Sequence, residues 1–222
     1  MRISCIIPFY NPGPYFRPAI DSVLGQSLAP DEVILVDDGS TDGSTEVGLS
    51  YGERVVLVRE GHGGIGAARN RGLRVATGDV VAFQDADDLW PDGRLMALAA
   101  ALEAEPDADG VVGRTVLLAE REPTREELAK WHKVHVPVLL QSMLLRRSLF
   151  DRVGLLSETL ATTDDIEFMM RAKSAGAIIL PVDVTSLIYR RHDGNITREI
   201  GRSQAGTIDA LRLLSIARRS RQ

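Results

Sequence analysis

Short apolar runs alternate with amphipathic stretches through the first half of this chain. Residues 3–8 form a β-branched run closed by Pro8, which predicts a buried strand. Residues 16–26 carry Phe16, Ile20, Val23 and Leu24 at helical spacing, and Pro30 with Asp31 breaks the pattern. Residues 32–36 and 55–58 predict two more strands. A glycine-rich turn then leads into a helix over 65–75. A fourth strand over 79–83 and an alanine-rich helix over 95–104 complete the alternation. Strand, helix, strand, helix implies right-handed crossovers, so the predicted fold class is α/β, a mostly parallel sheet flanked by helices in a single domain.

After Gly110 the pattern loosens. Residues 111–118 read as a strand, and Thr124 opens a helix to about Trp131. The stretch 133–148 is apolar without a clear period. Residues 164–175 predict a helix with Thr162 or Thr163 at its start. Two short strands follow at 178–180 and 186–190, and a terminal helix spans about 206–221.

Open parallel sheets take ligands beyond the carboxyl ends of their strands. Three polar clusters fall there: residues 9–11, 37–42 and 85–88. Asp85-Ala86-Asp87-Asp88 is the most telling, because crowded carboxylates repel and a hard divalent cation, magnesium or manganese, relieves the repulsion. A solvated acidic turn would show the same letters. Asp37-Asp38-Gly39-Ser40 could meet a nucleobase or ribose, or could simply make a turn. Gly61, Gly63 and Gly66 open a helix, a natural anion site, with Arg69 one turn inside. They follow the third strand, not the first, which argues against a dinucleotide dehydrogenase. Asp164-Asp165 opens a later helix, where a carboxylate suits the dipole and could serve as a general base. Tyr189-Arg190-Arg191-His192 could hold a diphosphate, with His192 in a metal shell.

Composition narrows the classes. The 222 residues are 44% hydrophobic and 26% charged, with a net charge of -5, which argues against broad nucleic-acid binding. Cys5 is the single cysteine and reads as a small core residue. The apolar stretch after Met1 is too short for a signal peptide, and no apolar run reaches membrane-spanning length. The expected location is cytoplasmic.

In order and spacing, four segments together resemble glycosyltransferase family 2, which has the GT-A fold. They are Ser4-Cys5-Ile6-Ile7-Pro8-Phe9-Tyr10-Asn11; Ile34-Leu35-Val36-Asp37-Asp38-Gly39-Ser40; Gly66-Ala67-Ala68-Arg69-Asn70 running on to Gln84-Asp85-Ala86-Asp87-Asp88; and Asp164-Asp165 with Arg171 and Tyr189-Arg190-Arg191-His192. The resemblance implies a glycosyltransferase domain over residues 1–198. Its nucleotide-sugar half would be 1–104 and its acceptor and catalytic half 105–198, with 199–222 as a terminal helix. It implies that Pro8, Tyr10 and Asp38 line the nucleoside pocket and that Arg69 lies near base or phosphates. Asp85 would contact ribose or sugar, and Asp87 and His192 would hold a manganese or magnesium ion beside the diphosphate. Asp165 would be the catalytic base. The family usually has Glu-Asp where this chain has Asp164-Asp165, so Asp164 keeps only a charge and a place on the acceptor side.

The implied reaction is an inverting transfer from a nucleoside diphosphate sugar, commonly a uridine diphosphate sugar, to a saccharide or other hydroxyl acceptor in polysaccharide or glycoconjugate synthesis. Trp131 is a candidate acceptor platform, since an indole stacks on a sugar face. The terminal helix carries Arg212, Arg218, Arg219 and Arg221 opposite Ile208, Leu211 and Leu214. It is a candidate for weak peripheral contact with the inner membrane face, or for packing on the domain or a second copy in a homodimer. A nucleotidyltransferase would want a basic glycine loop after the first strand, where Phe9-Tyr10-Asn11-Pro12 stands. A non-catalytic nucleotide-binding module would keep Asp38 and Asp87 without needing Asp165.

Overall fold

The four apolar runs of the first half become four neighbouring parallel strands. These are β1 (Ile3–Phe9), β2 (Glu32–Asp37), β3 (Val56–Arg59) and β4 (Val80–Phe83). In this computed structural model, which describes residues 1–119, 139–160, 162–192 and 194–195, they belong to a seven-stranded sheet. The other strands are β5 (Gly110–Ala119), β6 (Met143–Arg146) and β7 (Ile179–Arg191), and the order is β3-β2-β1-β4-β6-β5-β7. β6 runs antiparallel to both β4 and β5, whereas β5 and β7 are parallel.

Burial on both faces explains why β1 is apolar but for Ser4, whose buried hydroxyl donates to Glu32 Oε1 at 2.6 Å. Cys5 and Ile7 face one layer, where they pack with Phe16, Ile20 and Val23 of α1 (Phe16–Leu24) and Leu95, Leu98 and Leu102 of α4 (Arg94–Ala104). Ile6 faces the other, with Ala68 and Leu73 of α3 (Ile65–Val75), Phe150 of α5 (Arg147–Val153) and Phe168 of α6 (Asp164–Ser174). A short α2 (Ser44–Leu49) follows β2. Among the described residues no helix is long and apolar enough to cross a membrane.

Helix α3 lies close on β1 because Gly72 has no side chain. A Cβ there would collide with Cγ2 of Ile6. Gly72→Ala gains up to about 1 kcal/mol of helix propensity but overpacks the core by about 1–3 kcal/mol. We expect a net loss of stability, measured as a lower denaturant midpoint.

The second half departs from the pattern reading in two places, and the first half in one. The stretch over 133–148 holds a strand, β6, and the start of α5; three of the four β6 residues are buried, which removes the alternation a pattern search needs. The two short strands at 178–180 and 186–190 are one 13-residue strand. Pro181 and Asp183 broke the apolar pattern, and both are tolerated because β7 is an edge strand with register shifts opposite Arg114. Helix α2 was not anticipated. The predicted helix at 124–131, Trp131 and the terminal helix lie outside the described residues.

Candidate active site

The ends of β1 and β2 interlock. Asn11 receives a hydrogen bond at its Oδ1 from the Thr41 amide at 2.7 Å, and its own amide donates to Ser40 Oγ at 3.0 Å. Asp37 points inward and accepts from the Ser40 amide and the Thr45 hydroxyl. Asp38 is 3% exposed and points the other way, into the glycine turn. Its oxygens accept the Gly63 and Gly64 amides and Arg71 Nη1, each at 2.8 Å, and lie 2.9 Å from His62 Nδ1. The amides that the sequence offered as an anion site therefore hold an anion of the protein itself. Pro8 is buried in β1, while Tyr10 is 51% exposed with its ring centroid 4.4 Å from that of His62.

Arg69 joins the two halves of the chain. Its Nη2 donates to Asp85 Oδ1 and its Nη1 to Asp164 Oδ2, both at 2.8 Å, and it is only 4% exposed. Burial alone would lower its pKa, but Asp164, Asp85 and Asp165 carry it well above the ordinary range. Gln141 Nε2 donates to the other oxygen of Asp85. Asn70, the next residue of α3, holds the segment before α6 by bonding both the amide and the carbonyl of Leu156, at 3.0 and 2.9 Å. Asp165 follows Asp164 in the first turn of α6 and accepts the Ile166 amide at 2.8 Å. Burial pushes its carboxyl up to about 6; Arg69 opposes the shift and Asp164 adds to it.

A second group forms where the end of β7 crosses the 85–88 turn. Asp87 Oδ2 lies 3.1 Å from both His192 Nε2 and Asn195 Nδ2. Asp88 Oδ1 accepts the Arg190 amide at 2.8 Å, while its Oδ2 is buried with no protein partner. The Arg190 guanidinium donates to the carbonyls of Asp87 and Tyr15. The Tyr15 ring stacks on His192 at 3.9 Å. Burial and then the neighbouring carboxylates push Asp88 up to about 9, and burial with Asp85 raises Asp87. Among the described residues no three His, Cys, Asp or Glu side chains form a closed cage. The donor set instead suits a hard cation held by one carboxylate and one imidazole, with phosphate oxygens and water completing its shell. The crowded acids and the orphaned Asp88 Oδ2 are what such a cation would relieve.

Of the residues singled out from the sequence, the structure brings Arg69, Asp85, Asp164 and Asp165 into one network. Asp87 and His192 form a second beside it, and Tyr10 with Asp38 forms a third at the end of β1 and β2. Sequence reasoning missed Gln141, Tyr15, Arg71 and Asn195. Gln141 sits in the stretch that showed no period, and the others act through contacts between segments distant in the chain.

The comparisons bear on the family and the fold. The model of "Glycosyl transferase family 2" matches residues 4–162. The chain is 30% identical over 217 residues to the uncharacterized glycosyltransferase EpsJ of Bacillus subtilis, covering 88% of this chain and 62% of the relative. It is 29% identical over 222 residues to the glycosyltransferase GlyG of Streptococcus pneumoniae, covering 88% and 73%. The crystal structure of S. aureus TarS 1-349 in complex with UDP-GlcNAc superposes with a TM-score of 0.74 at 23% identity, over 90% of this chain and 61% of that one. The chain thus spans under two thirds of the length of EpsJ and of the TarS fragment. A match over most of its residues, with the fold to agree, places the chain in glycosyl transferase family 2.

Proposed function

We propose that this chain is an inverting glycosyltransferase that moves a sugar from a uridine diphosphate sugar to an acceptor hydroxyl, in polysaccharide or glycoconjugate synthesis. One observation carries the reading. Arg69 ties Asp85, at the donor-side end of β4, to Asp164, and so sets Asp165 beside the donor residues with its carboxyl at about 6. A base poised near neutral pH can accept a proton and is still largely ionised when needed. The TarS structures support the donor class, since they were solved with UDP-GlcNAc and with UDP.

In this reading the exposed Tyr10 ring offers a face to the nucleobase, and Asp38 holds the glycine turn that walls the pocket. Asp85 meets the ribose or the sugar. Asp165 takes the proton from the acceptor hydroxyl as its oxygen attacks the anomeric carbon, and the bond to the diphosphate breaks on the opposite side. One displacement inverts the configuration. Asp87 and His192 would hold a divalent cation, which neutralises charge on the leaving diphosphate. Arg190 is committed to two backbone carbonyls, so it shapes this end of the site.

The test is calorimetric titration with UDP, with and without manganese, on the native protein and on Asp87→Ala. We expect manganese-dependent binding that weakens by roughly a hundredfold in the variant, since a lost ligand in such a site costs several kcal/mol. Equal binding by both proteins would remove Asp87 from the metal site. No binding of UDP to the native protein under any condition would overturn the uridine donor.

A further inference from the structure

Arg94 is wholly buried, yet among the described residues no carboxylate pairs with it. A buried guanidinium without a counter-charge is costly and calls for a structural reason. Burial lowers its pKa to about 9, which leaves it protonated at neutral pH. Its Nη2 donates to the carbonyls of Gln141 at 2.6 Å and Met143 at 3.1 Å. Those carbonyls lie in the single turn Leu140–Ser142 and at the start of β6. Its guanidinium carbon lies 3.8 Å from the centroid of the Trp90 ring, a close cation–π contact two residues beyond Asp88. Arg94 therefore clamps the turn that carries Gln141 to the segment that carries the acidic cluster.

Gln141 is 3% exposed and spends its side-chain amide on Asp85. Asp85 is thus gripped from two sides, by Arg69 on Oδ1 and by Gln141 on Oδ2. Two donors on the two oxygens fix the plane of a carboxylate, where one donor would leave it free to turn about that bond. The Oε1 of Gln141 and the Nε and Nη1 of Arg94 are buried without protein partners, which calls for ordered water along the same seam.

We propose that Gln141 is a positioning residue that orients the Asp85 carboxylate toward the donor, and that Arg94 acts through it by holding the 140–142 turn. The role of Asp85 rests on the nucleotide-sugar reading above; the Gln141–Asp85 link does not.

The test is a double-mutant cycle of Gln141→Leu and Arg94→Met, read as UDP affinity with manganese by calorimetry and as thermal midpoint. Each single variant is expected to lose about tenfold or more in affinity, and the double variant no more than the weaker single, because both cut one chain of contacts. Gln141→Glu keeps the shape but turns the donor into an acceptor beside Asp85. It should lose at least as much with its near-ultraviolet circular dichroism unchanged, whereas Arg94→Lys should recover part of the Arg94→Met loss. Additive losses, or a Gln141→Glu protein that binds normally, would overturn the proposal. The free protein supplies an independent reading. The Gln141 carboxamide protons should exchange slowly in NMR and move in Asp85→Ala; solvent-like exchange would overturn the link. Native protein that binds no UDP but shows the protected carboxamide would instead count against the donor reading alone.

Discussion

Asp165→Asn should abolish most transfer while making the domain more stable. The amide cannot accept the acceptor's proton, and loss of a general base typically costs roughly 10²–10⁴ in rate. The stability gain comes from the sign of the pKa shift. The Asp165 carboxyl is raised from its ordinary value to about 6 by burial, so the folded state prefers it neutral. That preference contributes fully below the unfolded pKa of about 4 and is lost as pH rises through about 6. At pH 7–8 the native protein therefore carries a buried charge that asparagine removes, a gain of about 1–3 kcal/mol. Turnover should show the complementary dependence and fall about tenfold per pH unit below about 6. Donor turnover and urea denaturation across pH 5–8, on native and variant protein, check both halves. Full-rate transfer by Asp165→Asn would reject this residue as the base.

Arg69→Met should be the most destabilising single change in the site. It removes the cation that bridges Asp85 and Asp164, and Asp164 is 1% exposed, so hydration cannot rescue it. Breaking a buried pair by deleting one partner costs about 3–5 kcal/mol, because an uncompensated charge stays behind. For a domain of this size that corresponds to a thermal midpoint lower by roughly 10 °C. Arg69 also opposes the upward shift of Asp165. Its loss should move the pH profile of any residual turnover to higher pH. The stability deficit should narrow as pH falls, since the stranded carboxylates can then take up protons. Thermal unfolding at pH 5 and pH 8 measures both effects, and a deficit independent of pH would show that lost packing, not lost charge, dominates.

These two residues also show how much of the site was legible in the chain. The acids that end β2 and β4 could be found because buried parallel strands are continuous apolar runs, and the residues just past such a run sit at one edge of the sheet. A helical pattern, with acids in its first turn where they suit the dipole, placed Asp164 and Asp165 at a helix start. Their roles were less legible. Asp38 looked like a free ligand group after a strand; in the fold it is occupied by the Gly63 and Gly64 amides and by Arg71, which lies 33 positions further on. Gln141 had no signal at all, because its meaning lies in a contact across 56 positions.

The sequence by itself determined the alternation of four strands and their helices, the edge at which the acids gather, and the family through the order of its motifs. These are local properties, set by period, turn chemistry and spacing. Only the tertiary structure decided that β6 enters antiparallel between β4 and β5, and that β7 is one long edge strand whose end crosses the acidic turn. It alone decided which carboxylates are paired, which are crowded and which are pushed up by burial. The reason is electrostatic: a carboxylate's behaviour depends on burial and on partners within a few ångströms, and those partners come from segments that the chain's own pattern leaves unrelated.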